Sequence, residues 1–109
     1  MKEHRHVTEH HYRGTVEVWV DGAKRIEADA HLTKREVVEQ VEKLGGIATV
    51  GSGASWDGRF HGLAKEDLRP LQVVSGGFEL RLPDGSVGQA VLPNGRDLSY
   101  LQGLGDAPF

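Results

Sequence analysis

Turn-forming glycines constrain this chain more than any other feature. The sequence has 15 glycines in 109 residues, about twice the usual share of roughly 7%. Four of them directly follow Asp or Asn, namely Gly22, Gly58, Gly85 and Gly95. Such steps adopt positive φ at low cost and join antiparallel strands. Short strands with turn signals at this spacing predict a mainly β fold, a small antiparallel barrel or sandwich of six to seven strands.

The clearest strands flank the turn at Asp21-Gly22. Apolar residues alternate with polar ones on both sides of it, which is the period of a half-buried strand. The apolar members are Val16, Val18, Val20, Ile26, Ala28, Ala30 and Leu32. We therefore predict a first hairpin with Trp19 on its outer face. If Trp19 is exposed on that face, it would suit contact with a partner. The alternative is that the helix or the N-terminal arm, both predicted below, covers it.

One amphipathic helix is predicted at residues 33–44, inserted after the second strand. Thr33 and Glu36 have the spacing of a capping box. Val37, Val41 and Leu44 then recur on one helical face, before a Gly-Gly step that suits a helix end.

Residues 1–11 are polar and contain four of the six histidines, so we predict a flexible arm ahead of a single β-rich domain at residues 12–109. Imidazoles bind transition metals, but a structural site needs ligands held by a folded frame. We therefore expect a solvated arm and no metal site.

Ser55–Leu63 is the segment in which chemistry would first be sought. On an unbroken strand Trp56 and Phe60 share the core face, and Asp57, Arg59 and His61 share the outer face. Asp57-Gly58 then marks a hairpin tip or a bulge. A hydrolase using Ser55, Asp57 and His61 is the least favoured function, because the sequence has no nucleophile elbow.

Composition removes several classes of function. The net charge is −3 and no basic stripe occurs, so nucleic acid is not an expected partner. There is no cysteine, which rules out thiolate sites, and no apolar run long enough to span a membrane. We expect a cytoplasmic protein without a cofactor.

Four segments together resemble a known family, and they read YRGTVEVWVDG, SWDGRFHGL, LRLPDG and LQGLGDAPF. They resemble the small actinobacterial domain of unknown function found at the C-termini of flavin-dependent monooxygenases. Short actinophage structural proteins have a similar pattern. The resemblance implies a β-rich accessory or interaction module, located in the virion if the chain is of phage origin, and it carries over no catalytic residue.

We therefore predict a non-catalytic structural or protein-interaction module that binds itself or a protein partner, such as a phage assembly. The alternative is a small-ligand-binding or accessory barrel associated with a flavin-dependent monooxygenase. Contacts with a partner or ligand are predicted for eight residues, namely Tyr12, Trp19, Trp56, Arg59, Phe60, His61, Leu104 and Phe109.

Overall fold

A computed structural model describes residues 3–43, 46–74, 76–93 and 98–109. It contains six strands and one helix: β1 (Glu3–Val20), β2 (Ala23–Lys43), β3 (Gly46–His61), α1 (Lys65–Gln72), β4 (Phe78–Arg81), β5 (Val87–Val91) and β6 (Tyr100–Leu104). All neighbouring strands are antiparallel and close into a barrel in the order β1-β2-β3-β6-β5-β4. The predicted mainly β fold is confirmed. Of the alternatives, a small antiparallel barrel or sandwich of six to seven strands, the structure shows a barrel of six strands.

The interior of the barrel is filled by the apolar side chains of the alternating strands. Val16 and Val18 of β1 and Leu32 of β2 are completely buried, as their spacing predicted. Phe78 and Leu80 of β4, the strand beside β1, and Leu101 of β6 complete the same buried cluster. The first hairpin turns at Asp21 (φ 52°) and Gly22 (φ 77°), where two successive positive φ angles match the twist of the strands.

The helix predicted at residues 33–44 is wrong. Residues 33–43 continue β2, and Leu44 lies outside the described residues. β3 pairs with all of residues 33–43 on one side, and β1 pairs with residues 33–41 on the other. Two partner strands satisfy the backbone of this segment, and its β-branched valines suit a strand as well as a helix. The Thr33 hydroxyl does not cap a helix but lies 3.2 Å from Nδ1 of His11.

The one helix among the described residues is α1, between β3 and β4. A helix usually ends at the residue before a proline. Instead, α1 continues through Pro70 to Gln72. Leu68 and Leu71 are both buried in the core, and this burial offsets the main-chain hydrogen bond that proline cannot donate.

Residues 3–11 also differ from the prediction, because they extend β1 rather than form a flexible arm. They pair with residues 33–41 of β2 in unbroken register. Glu9 stands opposite Arg35, and their charged groups are 4.0 Å apart. This polar segment forms a strand because the long β2 pairs with it. The composition of the segment alone does not indicate this pairing.

The first three strands project beyond the barrel. β4 pairs with β1 at residues 17–19, and β6 pairs with β3 at residues 57–59. Residues 3–11, 33–43 and 46–55 therefore form a three-stranded ribbon, here called the sheet extension. It accounts for the elongated shape of 58 × 31 × 23 Å.

Candidate functional site

The segment Ser55–Leu63 lies on β3 and just beyond it, and its residues 56–61 have the two faces that the sequence predicted. Trp56 and Phe60 are each only 3% exposed, whereas Arg59 and His61 are exposed. Phe60 packs against Phe78, with 6.2 Å between the ring centroids. Trp56 and Phe60, both predicted to contact a partner or ligand, are thus core residues of the barrel.

Gly58 is neither a hairpin tip nor a bulge, because residues 57–59 pair continuously with both neighbouring strands. Its role is steric. A Cβ at this position would lie 2.5 Å from Cδ2 of Leu32 and 2.6 Å from the main-chain oxygen of His31. The glycine therefore permits the close approach of β2 and β3 in the barrel wall.

Trp56 closes one end of the barrel. Its indole lies over Gly103 of β6, where a Cβ would overlap the ring. A Cβ on Gly88 would meet both Pro108 and the Trp56 ring. The indole Nε1 is buried and has no hydrogen-bond partner among the described residues. Two glycines thus provide the space that this large side chain occupies.

The C-terminal segment covers the same end. Pro108 is buried, and the Phe109 ring lies 6.4 Å from the ring of Tyr12. Lys34 donates a hydrogen bond of 2.7 Å to the main-chain oxygen of Phe109 and also lies over its ring. Tyr12 and Phe109 are therefore already packed on this barrel, whereas Leu104 is 40% exposed.

Trp19 is half-buried by a neighbouring cation. The guanidinium carbon of Arg81 lies 3.7 Å from the centroid of its ring, and its Nε1 donates to Glu17 at 3.0 Å. The group that covers the ring is thus Arg81 of β4. It is neither the helix predicted at residues 33–44 nor an N-terminal arm. The arrangement fixes the orientation of Trp19 on the outer wall.

Asp57 is bonded to two groups from neighbouring strands. It accepts from the Tyr100 hydroxyl at 3.1 Å and from Nη1 of Arg35 at 3.3 Å. Arg59 lies over the Tyr100 ring at 5.7 Å. These contacts occupy the carboxylate that a catalytic set would need to orient His61, so the described geometry does not favour the hydrolase hypothesis.

A histidine pair on the outer wall was not predicted. Nδ1 of His11 lies 3.0 Å from Nε2 of His31, and their ring centroids are 5.2 Å apart. The pair depends on the register that sets Arg13 opposite His31. Partial burial, followed by the charges of Arg13, His11 and His61, lowers the pKa of His31. Only the strand pairing, which the sequence pattern did not reveal, could have indicated this cluster.

The lowered pKa of His31 predicts a pH-dependent stability. As the pH falls below the ordinary histidine pKa of about 6.5, the unfolded chain binds a proton at His31 before the folded chain does. Stability should therefore decrease from pH 7.5 to pH 5.5. Thermal unfolding across this range should show a smaller decrease for His31→Gln than for the wild type. His10→Gln removes an exposed histidine as a control, and an unchanged slope in His31→Gln would contradict the prediction.

No three His, Asp or Glu side chains among the described residues are arranged to hold a metal ion. No helix in the described part of the chain is long and apolar enough to cross a membrane.

Fold and surface together define a closed antiparallel β-barrel that carries a long three-stranded extension. Comparison with known proteins adds no relative: no family model, curated protein or solved structure matches the chain.

Proposed function

We propose that this chain is a non-catalytic structural or interaction module that binds protein through the sheet extension. The observation that carries the proposal is the free edge of β3. Residues 46–56 pair with β2 on one side, apart from Val50, which is the extra residue at a shift in the register. Among the described strands none pairs with their other side. A strand with unpaired N–H and C=O groups is a template for the addition of another strand.

The barrel itself supports this proposal because the polar and aromatic side chains described above bond to or pack against one another. Phe78, Leu80 and Leu101 fill the interior, as is usual for a barrel of this size. The proposed activity therefore belongs to the extension, while the barrel holds it in place. An attachment role also agrees with the resemblance to phage structural proteins and to an accessory domain, both of which imply a larger assembly.

Removal of the distal extension tests the proposal. Glu36 is opposite Ala54, so residues 37–53 are replaced by an Asn-Gly turn that joins this pair. Because the core lies in the barrel, the trimmed chain should keep its fold, with a Tm lowered by less than about 4 °C.

Association is then compared between the full and trimmed chains. Sedimentation measures self-association, and co-purification is carried out with the products of the adjacent genes. The full chain should associate and the trimmed chain should not. A trimmed chain that keeps every association, or one that no longer folds, would contradict the proposal.

A further inference from the structure

Two imidazoles meet on the outer wall, where the sheet extension joins the barrel. His11 of β1 and His31 of β2 lie on paired strands, and Nδ1 of His11 is 3.0 Å from Nε2 of His31. Because side chains alternate along a strand, both rings share one face with Arg13, which stands opposite His31. His11 is exposed and His31 is half-buried, so a small solute can reach the pair.

Both histidines stand on a folded frame. The sequence placed His11 in a flexible arm, and a metal site was not expected there because a structural site needs ligands held by folded backbone. In the structure His11 is opposite Thr33, and β2 is paired along this stretch with β3 on its other side. The structure therefore removes the objection for this one histidine of residues 1–11 and gives it a partner on β2.

The separation of the two nitrogens suits a particular coordination geometry. Metal–nitrogen bonds of about 2.0–2.1 Å at right angles put two adjacent donors about 2.8–3.0 Å apart, whereas a tetrahedral ion puts them about 3.3–3.4 Å apart. The observed 3.0 Å corresponds to the right-angled arrangement. Tetragonal coordination by nitrogen is typical of Cu²⁺ and Ni²⁺, and of these two Cu²⁺ binds more tightly.

The protonation of the rings is compatible with a metal ion. The same 3.0 Å also suits a hydrogen bond between the rings, and a metal ion takes the place of the shared proton when both facing nitrogens carry lone pairs. Partial burial, followed by the charge of Arg13, lowers the pKa of His31, so this ring is neutral at pH 7. Arg13 also repels a cation, but Asp29 lines the same depression and offsets that charge.

We propose that His11 and His31 chelate one Cu²⁺ ion, with water at its other positions. The two imidazoles are the only protein ligands, in keeping with the absence of any three-residue metal cluster among the described residues. A site with open positions on an exposed wall would bind copper reversibly. It lies apart from the free edge of β3 and goes beyond the proposed function.

Titration of the full chain with CuCl₂, followed by calorimetry, tests the proposal. The wild type should show one tight site. His11→Gln and His31→Gln should each weaken it by about tenfold or more, because each removes one of the two ligands. His10→Gln is the matched control, since His10 is exposed and adjacent to His11 but points to the other face of β1, and it should leave the affinity unchanged. Near-ultraviolet circular dichroism establishes that each variant is folded.

Electron paramagnetic resonance of the copper-loaded wild type gives a result that does not depend on how the variants fold. Its hyperfine structure should report two nitrogen ligands. Three outcomes would overturn the site: a wild type that binds no Cu²⁺ at micromolar concentrations, a spectrum without two nitrogen ligands, or His11→Gln and His31→Gln variants that bind Cu²⁺ as tightly as His10→Gln does.

Discussion

Phe60→Ala is expected to lower the free energy of unfolding by about 3–5 kcal/mol, the usual cost of removing a buried phenylalanine. Phe60 is 3% exposed and packs against Phe78. Its truncation would leave a cavity in a core that serves the whole barrel. Because a domain of this size has only about 5–15 kcal/mol of stability in total, the effect should be evident in urea unfolding.

His61→Ala is the matched control, since His61 is the next residue on β3 and is exposed. It should change stability by less than about 0.5 kcal/mol. Together the two variants test whether the strand has one core face and one outer face. Similar small effects at both positions would show that Phe60 is a surface residue, contrary to the structure.

Gly103→Ala should also be strongly destabilising. The added methyl would overlap the indole of Trp56, which is buried and has little room to move. Overpacking of this kind costs about 1–3 kcal/mol. Gln102→Ala, at an exposed position on the same strand, controls for the effect of alanine on β6 and should be close to neutral.

A second substitution shows whether the indole is the cause. In a Trp56→Leu background the ring is absent, so Gly103→Ala should cost measurably less than in the wild type. Contacting residues commonly show such coupling, of about 0.5–3 kcal/mol. If Gly103→Ala lowers the free energy of unfolding equally in the two backgrounds, the substitution acts through the backbone of Gly103. A clash with the Trp56 ring would then not be the cause.

The parts of the fold that depend on local pattern could be predicted from the sequence. Alternation identified Val16 and Val18 as core residues, and it separated Phe60 from His61 on β3. The Asp21-Gly22 turn and the antiparallel, mainly β class followed from turn chemistry, which left a barrel and a sandwich as alternatives. These signals suffice because a strand face and a tight turn are decided by residues close together in the sequence.

Residues 33–43 show where such signals fail. The Thr33–Glu36 spacing and the valine pattern fit a helix, but long strands on both sides make a strand of the same residues. The polar residues 3–11 depend on the same pairing. Tertiary context outweighs local propensity here, because each of these strands needs the others as partners.

The side-chain contacts between strands depend on the strand register, and they could therefore not be predicted from the sequence. The His11–His31 pair requires that Arg13 stand opposite His31, and the Trp56–Gly103 contact requires β6 to lie beside β3. Phe109 was expected to bind a neighbouring surface, yet it packs against Tyr12 and Lys34 of its own chain. Contacts between distant parts of a sequence leave no periodic signal.

Amide hydrogen exchange along β3 would test most directly whether its free edge binds protein. In residues 46–55, the amides bonded to β2 should be protected at every concentration. Those that face the free edge should become protected as the wild-type chain associates with a protein partner. Edge-facing amides that exchange quickly at all concentrations, with and without the products of the adjacent genes, would contradict a binding role for this edge.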